Sequence, residues 1–321
     1  MAGMGVDARV VNLVEFEAAF RSSYPEPDVP VAFVRRHEIP ALARAFDAVI
    51  ATANTSVEWL LPLAAETAPV LGYYVQDFEP YFYAPGSAGY DRAIASYTLI
   101  PRLVRFTKTE WNAREVEARC GVRCAVVGPS VESSTFRPTR PRPSAPPVRI
   151  AAMVRPSSPR RQPELTIEVL GRIREKRGDR VEILLFGETH NPDRTPVAVG
   201  FPHRHLGMLD GPGLADLFSS VHVFADFSEY QAMGLTAMEA MACGAAVLVP
   251  RKGGASSFAV DGVNALLVDT ANADACTDAL LRLVDDPALA KRLGDRALLD
   301  APRWAPEEAA GRILDALFRT G

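Results

Sequence analysis

The stretch 221–250 constrains this chain more than any other. Two apolar runs, residues 221–227 and 245–250, flank a segment that ends Ala237-Met238-Glu239-Ala240-Met241-Ala242-Cys243-Gly244. Apolar runs this short read as buried strands, and Ala, Met and Leu are strong helix formers. Gly244 follows them as glycine follows a helix end. Strand, loop, helix, strand is one βαβ unit, and a helical crossover makes its two strands parallel. Two details exceed what scaffolding needs. Glu239 places a carboxylate among small apolar neighbours. The loop 231–234 leaves the strand's carboxyl end, where open α/β sheets bind ligands. A helix start there offers N–H groups and partial positive charge to a phosphate.

The alternation continues on both sides. Residues 8–13, 29–34, 48–53, 69–75, 103–107 and 124–127 read as strands. Residues 39–46, 57–66, 90–99 and 110–120 read as helices, with Ser56 and Thr109 as caps. Further on, 148–154, 181–186 and 265–268 read as strands. Residues 164–176, led by Pro163, and 214–220, 273–284, 287–299 and 306–319 read as helices. The expected fold class is α/β, with two Rossmann-like, doubly wound parallel-sheet domains. Residues 137–147 are too rich in Pro for a sheet or helix interior and read as an extended linker. The expected division is 1–138, a linker over 139–147, 148–301, and a last helix over 302–321 that crosses back to the first domain.

Composition excludes several classes. The 321 residues carry a net charge of −4, which gives no electrostatic case for nucleic acid. The four cysteines, at 120, 124, 243 and 276, form no Cys-x-x-Cys or Cys/His cluster. Free thiols, no apolar run near the roughly 20 residues of a membrane helix, and no signal-peptide core point to a cytoplasmic protein. His203 and His205 form His-x-His without further ligands nearby, so no metal site is expected. Arg102, Arg105, Lys108 and Arg114 are read either as a solvated face or as a peripheral contact with anionic lipid.

The run from Tyr230-Gln231-Ala232 to Glu239-Ala240-Met241-Ala242-Cys243-Gly244 resembles the signature of the retaining family-four glycosyltransferases. That signature is Glu, seven residues, Glu, then Ala-Met-Ala-x-Gly. Glu239 matches the second Glu, and Gln231 stands in place of the first. The wording is similar to a subgroup that includes rhamnosyltransferases of bacterial surface glycans. The resemblance implies the GT-B fold, two Rossmann-like domains facing a cleft, with the first domain here lacking its opening strand–turn–helix. It implies metal-independent sugar transfer, with retention, from a nucleoside diphosphate to a glycan or lipid-linked acceptor in polysaccharide biosynthesis. A deoxythymidine-diphosphate rhamnose donor and work at the inner face of the membrane are its finer implications. No cofactor is implied beyond the donor itself.

Candidate residues follow from what such a donor needs. Arg155 and Arg161 match the cations that clamp the diphosphate, against a plain reading as a solvated basic loop. Glu239 would accept hydrogen bonds from the ribose diol, unless a local Arg pairs with it. Gln231 would bond sugar hydroxyls, or serve simply as a polar loop residue. Met233, Gly234 and Leu235 would offer backbone N–H groups. Gly253 and Gly254 resemble the family's second sugar-contacting loop, though glycine pairs ordinarily mark turns. On the acceptor side, Gln76, Asp77, Glu79 and Tyr81 leave a strand's carboxyl end together, and Asp77 is the candidate to orient or deprotonate the acceptor hydroxyl. The alternative there is a lid loop packed on its own domain. Two other functions stay open: a non-catalytic nucleotide- or glycan-binding module, and a nucleotide-sugar epimerase of the same build.

Overall fold

The structure, a computed structural model, describes residues 2–24, 27, 29–188 and 198–319. The chain forms two compact units, residues 1–128 with 307–321, and residues 129–306.

In the first unit, strand β1 (Val10–Leu13) and strand β2 (Val31–Val34) pair in parallel, with Val10 opposite Val31. Helix α1 (Glu17–Ser23) joins them. Nothing in the sequence reading announced α1, because it buries no side chain and so carries no apolar stripe. Helix α2 (Ile39–Ala43) leads into a four-stranded parallel sheet. Its strands are β3 (Ala48–Ala51), β4 (Val70–Val75), β5 (Val104–Thr107) and β6 (Ala125–Val126), side by side in that order. Helices α3 (Asn54–Val57), α4 (Ala88–Ser96) and α5 (Glu110–Cys120) make the crossovers.

Of the two expected caps, Thr109 holds and Ser56 does not. Thr109 caps α5 by accepting from the Asn112 N–H at 3.3 Å. Ser56 does not precede its helix, because α3 starts earlier, at Asn54. Its hydroxyl instead reaches back, accepting from the N–H groups of Thr52 and Ala53 and donating to the Ala53 carbonyl. Pro62 then lies in a tighter 3-10 stretch, Glu58–Leu63, rather than in a continuing α-helix. Leu63, Leu71, Tyr73, Val75, Phe78 and Tyr97 form the core beneath.

The basic cluster is only partly a face. Arg102 donates to the carbonyls of Leu63, Ala64 and Pro69, and Arg105 to those of Ile100, Leu103 and Tyr97. These guanidinium groups close loops inside the first unit.

Among the described residues the second unit holds a six-stranded parallel sheet. Strands β7 (Val148–Val154), β8 (Val181–Gly187), β9 (Arg204–His205), β10 (Val223–Ala225), β11 (Ala246–Pro250) and β12 (Leu266–Val268) lie in the order β12-β11-β10-β7-β8-β9. Helices α6 (Pro163–Arg177), α7 (Gly211–Ser220), α8 (Leu235–Ala242), α9 (Ala273–Asp285) and α10 (Pro287–Asp300) cover it. Two apolar layers result, one holding Phe218, Phe224, Met238 and Val247, the other Ile150, Leu170, Leu248 and Leu280. Each strand buries alternate residues on opposite faces, so a doubly wound sheet needs both.

The Pro-rich segment has no regular structure, but it is not a free connector. Thr139 N–H donates to Ser219 Oγ, and Arg142 donates to the carbonyls of Phe218, Val221, Cys243 and Gly244. The segment therefore belongs to the second unit. The last helix, α11 (Pro306–Phe318), lies almost wholly in the first unit, where Leu317 packs against Gly72, Phe106 and Val127. Among the described residues no helix is long and apolar enough to cross a membrane.

Candidate functional site

The strand order fixes where a ligand can sit. From β7 the chain moves outward to β8 and β9; from β10 it moves the opposite way, to β11 and β12. The switch point is the junction of β7 and β10, paired over Ile150–Val223, Ala151–Phe224 and Ala152–Ala225. Loops leaving the carboxyl ends of two such strands diverge and leave a crevice. Those loops carry Arg155 to Arg161 and Asp226 to Gly234.

Arg155 follows β7 directly. One guanidinium nitrogen lies 3.6 Å from Glu188, while Nε is buried without a hydrogen-bond partner among the described residues. Glu188 follows β8, where its N–H donates to the Val154 carbonyl at 3.0 Å. Its carboxylate accepts from Ser157 N–H and Oγ, and these bonds, with Arg155 nearby, hold it below its ordinary pKa. Arg161 ends a 3-10 turn, Pro159–Arg161, that runs into α6 through a left-handed Gln162. Both arginines thus stand on one of the two loops that open at the switch point.

Glu239 lies in the second turn of α8. Helical side chains lean toward the N-terminus, so the carboxylate is directed back toward the rim. It is 8% exposed and makes no hydrogen bond or ion pair among the described residues. Burial alone raises its pKa to about 7. The local Arg that would have explained it structurally is absent among those residues. An unpaired buried carboxylate is costly, and a ligand that donates two hydrogen bonds would repay it.

The loop before α8 is tightly made. Gly234 caps the helix with φ 92°, a conformation L-residues avoid. The N–H groups of Met233, Gly234 and Leu235 donate no hydrogen bond among the described residues. Gly253 bridges Gln231 in parallel fashion, and Gly254 N–H donates to the Gln231 carbonyl at 2.6 Å. So the structure brings the second glycine loop against the first, as backbone on backbone.

In the first unit the four acceptor-side candidates share one loop but not one role. Gln76 Nε2 donates to the Thr52 carbonyl at 2.9 Å. Asp77 is buried, and its Oδ1 accepts from Phe78 N–H at 2.9 Å. Glu79 is also buried and accepts from Asn54 N–H, at the start of α3. Burial pushes its pKa to about 7, against that bond. Tyr81 donates its hydroxyl to Glu115 at 2.6 Å. Glu79 and Tyr81 therefore tie the loop to α3 and α5.

Residues 140–299 match the family described as "Glycosyl transferases group 1". This segment is a group 1 glycosyl transferase domain. Over 310 residues the chain is 30% identical to the O-antigen biosynthesis protein RfbC of Myxococcus xanthus, covering 96% of this chain and 23% of that protein. It is 30% identical over 234 residues to the D-inositol 3-phosphate glycosyltransferase of Kribbella flavida, 66% of this chain and 55% of that one. The chain thus spans about a quarter and about half of the lengths of these relatives. Among solved structures, Anabaena HepE in complex with UDP-glucose superposes with a TM-score of 0.76 at 14% identity, covering 94% of this chain and 89% of HepE. The parallel α/β units have the fold of the GT-B glycosyltransferases.

Several residues of the group 1 domain escaped the sequence reading. Asp226 and Ser228 hold the Gln231 side chain. Asp226 was hidden because residues 221–227 read as one apolar strand; β10 in fact stops at Ala225, and the acid begins the rim. Arg160 and Lys252 both lie over the Tyr230 ring, at 5.5 and 5.4 Å. Lys252 also pairs with Glu229 at 2.9 Å, and Glu229 N–H donates to the Arg160 carbonyl. These contacts strap together three loops from three strands. Only their clustering in space identifies them.

Proposed function

We propose that this chain is the catalytic part of a glycosyltransferase that takes a sugar from a nucleoside-diphosphate donor. The second unit binds the donor. Arg155, Arg161 and the N–H groups at the start of α8 balance the diphosphate, which gains charge as it leaves. Glu239 accepts from the ribose hydroxyls, and Gln231 and the Gly253–Gly254 turn border the transferred sugar. The first unit binds a glycan or lipid-linked acceptor, with Asp77 orienting its hydroxyl. The finer reading is transfer with retention, of rhamnose in surface-glycan synthesis, in the cytoplasm at the inner membrane face. The likeness of the signature run supports it, as does the similarity to an O-antigen biosynthesis protein.

The observation that carries the proposal is Glu239: a buried carboxylate, without a partner among the described residues, on the helix that opens at the switch point. The test is calorimetric titration with UDP, GDP, ADP and dTDP of the wild type and of Glu239→Ala. Binding by the wild type and its loss in the variant are expected. Equal heats from both proteins would remove Glu239 from the site. Release of nucleotide from a matching sugar donor, measured with candidate acceptors, then reports transfer.

A further inference from the structure

Beyond β10 the chain folds over one buried carboxylate. Asp226, Ser228 and Gln231 are all buried. Asp226 Oδ1 accepts from the Ser228 N–H at 2.9 Å and from Ser228 Oγ at 2.5 Å. Gln231 Nε2 donates to Asp226 Oδ2 at 2.8 Å and to Ser228 Oγ at 2.9 Å. Thr270 Oγ1, from the loop after β12, donates to the Ser228 carbonyl at 2.8 Å and pins the turn.

This network decides which way the amide faces. An ionised carboxylate only accepts, so it selects the nitrogen of Gln231 and rejects the oxygen. The amide has two hydrogens, and both are engaged. Turning it over would bring two acceptors together at hydrogen-bond distance in a buried place, with both left unsatisfied. What remains is Gln231 Oε1, which makes no hydrogen bond among the described residues. The Gln231 backbone is equally fixed, by Gly253 and Gly254.

We infer that Asp226 and Gln231 work as a pair that presents one acceptor-only oxygen, Gln231 Oε1, to a hydroxyl of the sugar carried on the donor nucleotide. Gln231 is the contact residue and Asp226 the positioning residue. The inference rests on the nucleotide-sugar reading above. It also accounts for an amide where the resembled signature has a carboxylate. A Glu at 231 would set two carboxylates about 3 Å apart inside the protein, where both cannot stay ionised. The Asp226 carboxyl group lies behind the amide and accepts from its nitrogen, which polarises the exposed oxygen.

The experiment compares the affinity of each nucleotide-sugar with that of its bare nucleoside diphosphate. The probes are UDP and UDP-glucose, GDP and GDP-mannose, dTDP and dTDP-rhamnose. Asp226→Asn lets the amide turn over and present hydrogens in place of the oxygen. The sugar-to-bare affinity ratio is expected to fall about tenfold, because a site built for a hydroxyl then meets it with the wrong group. Affinity for the bare diphosphate should stay within about twofold, since Arg155, Arg161 and Glu239 are untouched. The double variant Asp226→Asn/Gln231→Glu restores an outward acceptor and should recover the ratio. Gln231→Met, with no polar atom, reads the same ratio if Asp226→Asn does not fold. Thermal melts examine the contact without any nucleotide. Gln231→Glu alone should lose stability between pH 5 and pH 8 relative to the wild type, and the double variant should not. An unchanged ratio in folded Asp226→Asn, or no pH-dependent loss in Gln231→Glu, overturns the pairing. A wild type that binds no nucleoside diphosphate overturns the nucleotide-sugar reading itself, and the pairing with it.

Discussion

Gly253 lies so close to Gln231 that a Cβ at 253 would stand 2.4 Å from the Gln231 carbonyl oxygen and 2.8 Å from its nitrogen. Its φ of 110° is also one that L-residues seldom adopt. Both obstacles are backbone, so no side chain can swing aside. Gly253→Ala should therefore cost at least about 2 kcal/mol and force the two loops apart. A urea titration should show the lower midpoint, and nucleotide affinity should fall with it. A midpoint equal to that of the wild type would mean the loops are not in contact.

Glu239 links stability to pH in the sense opposite to a salt-bridged acid. Its carboxyl titrates near 4.5 when unfolded and is raised to about 7 by burial in the fold. Between those values the folded state holds a proton that the unfolded state has lost. Stability from this group is thus present below pH 4.5 and lost as pH rises toward 7, by about 3 kcal/mol in all. Glu239→Gln should raise the melting temperature at pH 8 and leave it nearly unchanged at pH 4.5, while weakening nucleotide binding. Glu79 is raised in the same direction, so the difference between variant and wild type, not the wild-type profile alone, isolates Glu239.

Arg155 offers its guanidinium at the switch point, with Nε unsatisfied among the described residues. Charge-assisted bonds contribute about 1.5–3 kcal/mol each. Arg155→Ala should weaken binding of a nucleoside diphosphate about 10- to 100-fold, and should weaken the bare nucleoside far less. Arg155→Lys should recover only part of the loss, because an ammonium lacks the planar fork. Calorimetry across diphosphate, monophosphate and nucleoside separates these outcomes; equal losses for all three would place Arg155 away from the phosphates.

Arg142 closes the ends of two helices. Its guanidinium reaches carbonyls at the end of α7 and just beyond α8. Replacement by Met keeps the apolar stem and leaves those carbonyls without donors. A loss of about 2–4 kcal/mol in urea unfolding is expected, since each orphaned buried acceptor is costly. No change would show that water replaces the guanidinium freely.

The fold was legible because its signals are periodic and local. Apolar runs a strand long, helix formers between them, Gly244 and Thr109 at helix ends, and Pro163 in a first turn all act through neighbours in the chain. Glu239 stood out for a related reason, a charge among small apolar residues. Helix α1 escaped because none of its side chains is fully buried, and Ser56 misled because its hydroxyl could serve either end of a turn.

By itself the sequence determined that this chain builds parallel α/β sheets, and which loops leave the strands' carboxyl ends. It also picked out Glu239, Arg155 and Gln231 as the residues to examine. Tertiary structure alone decided that the Pro-rich stretch is bound to the second unit through Arg142, and that Glu79 and Tyr81 brace their own loop. It alone set Asp226 against Gln231 and Gly253 against the Gln231 backbone. The physical reason is range: propensity and burial pattern act between residues a few positions apart, whereas a buried hydrogen bond depends on which distant strands the sheet places side by side.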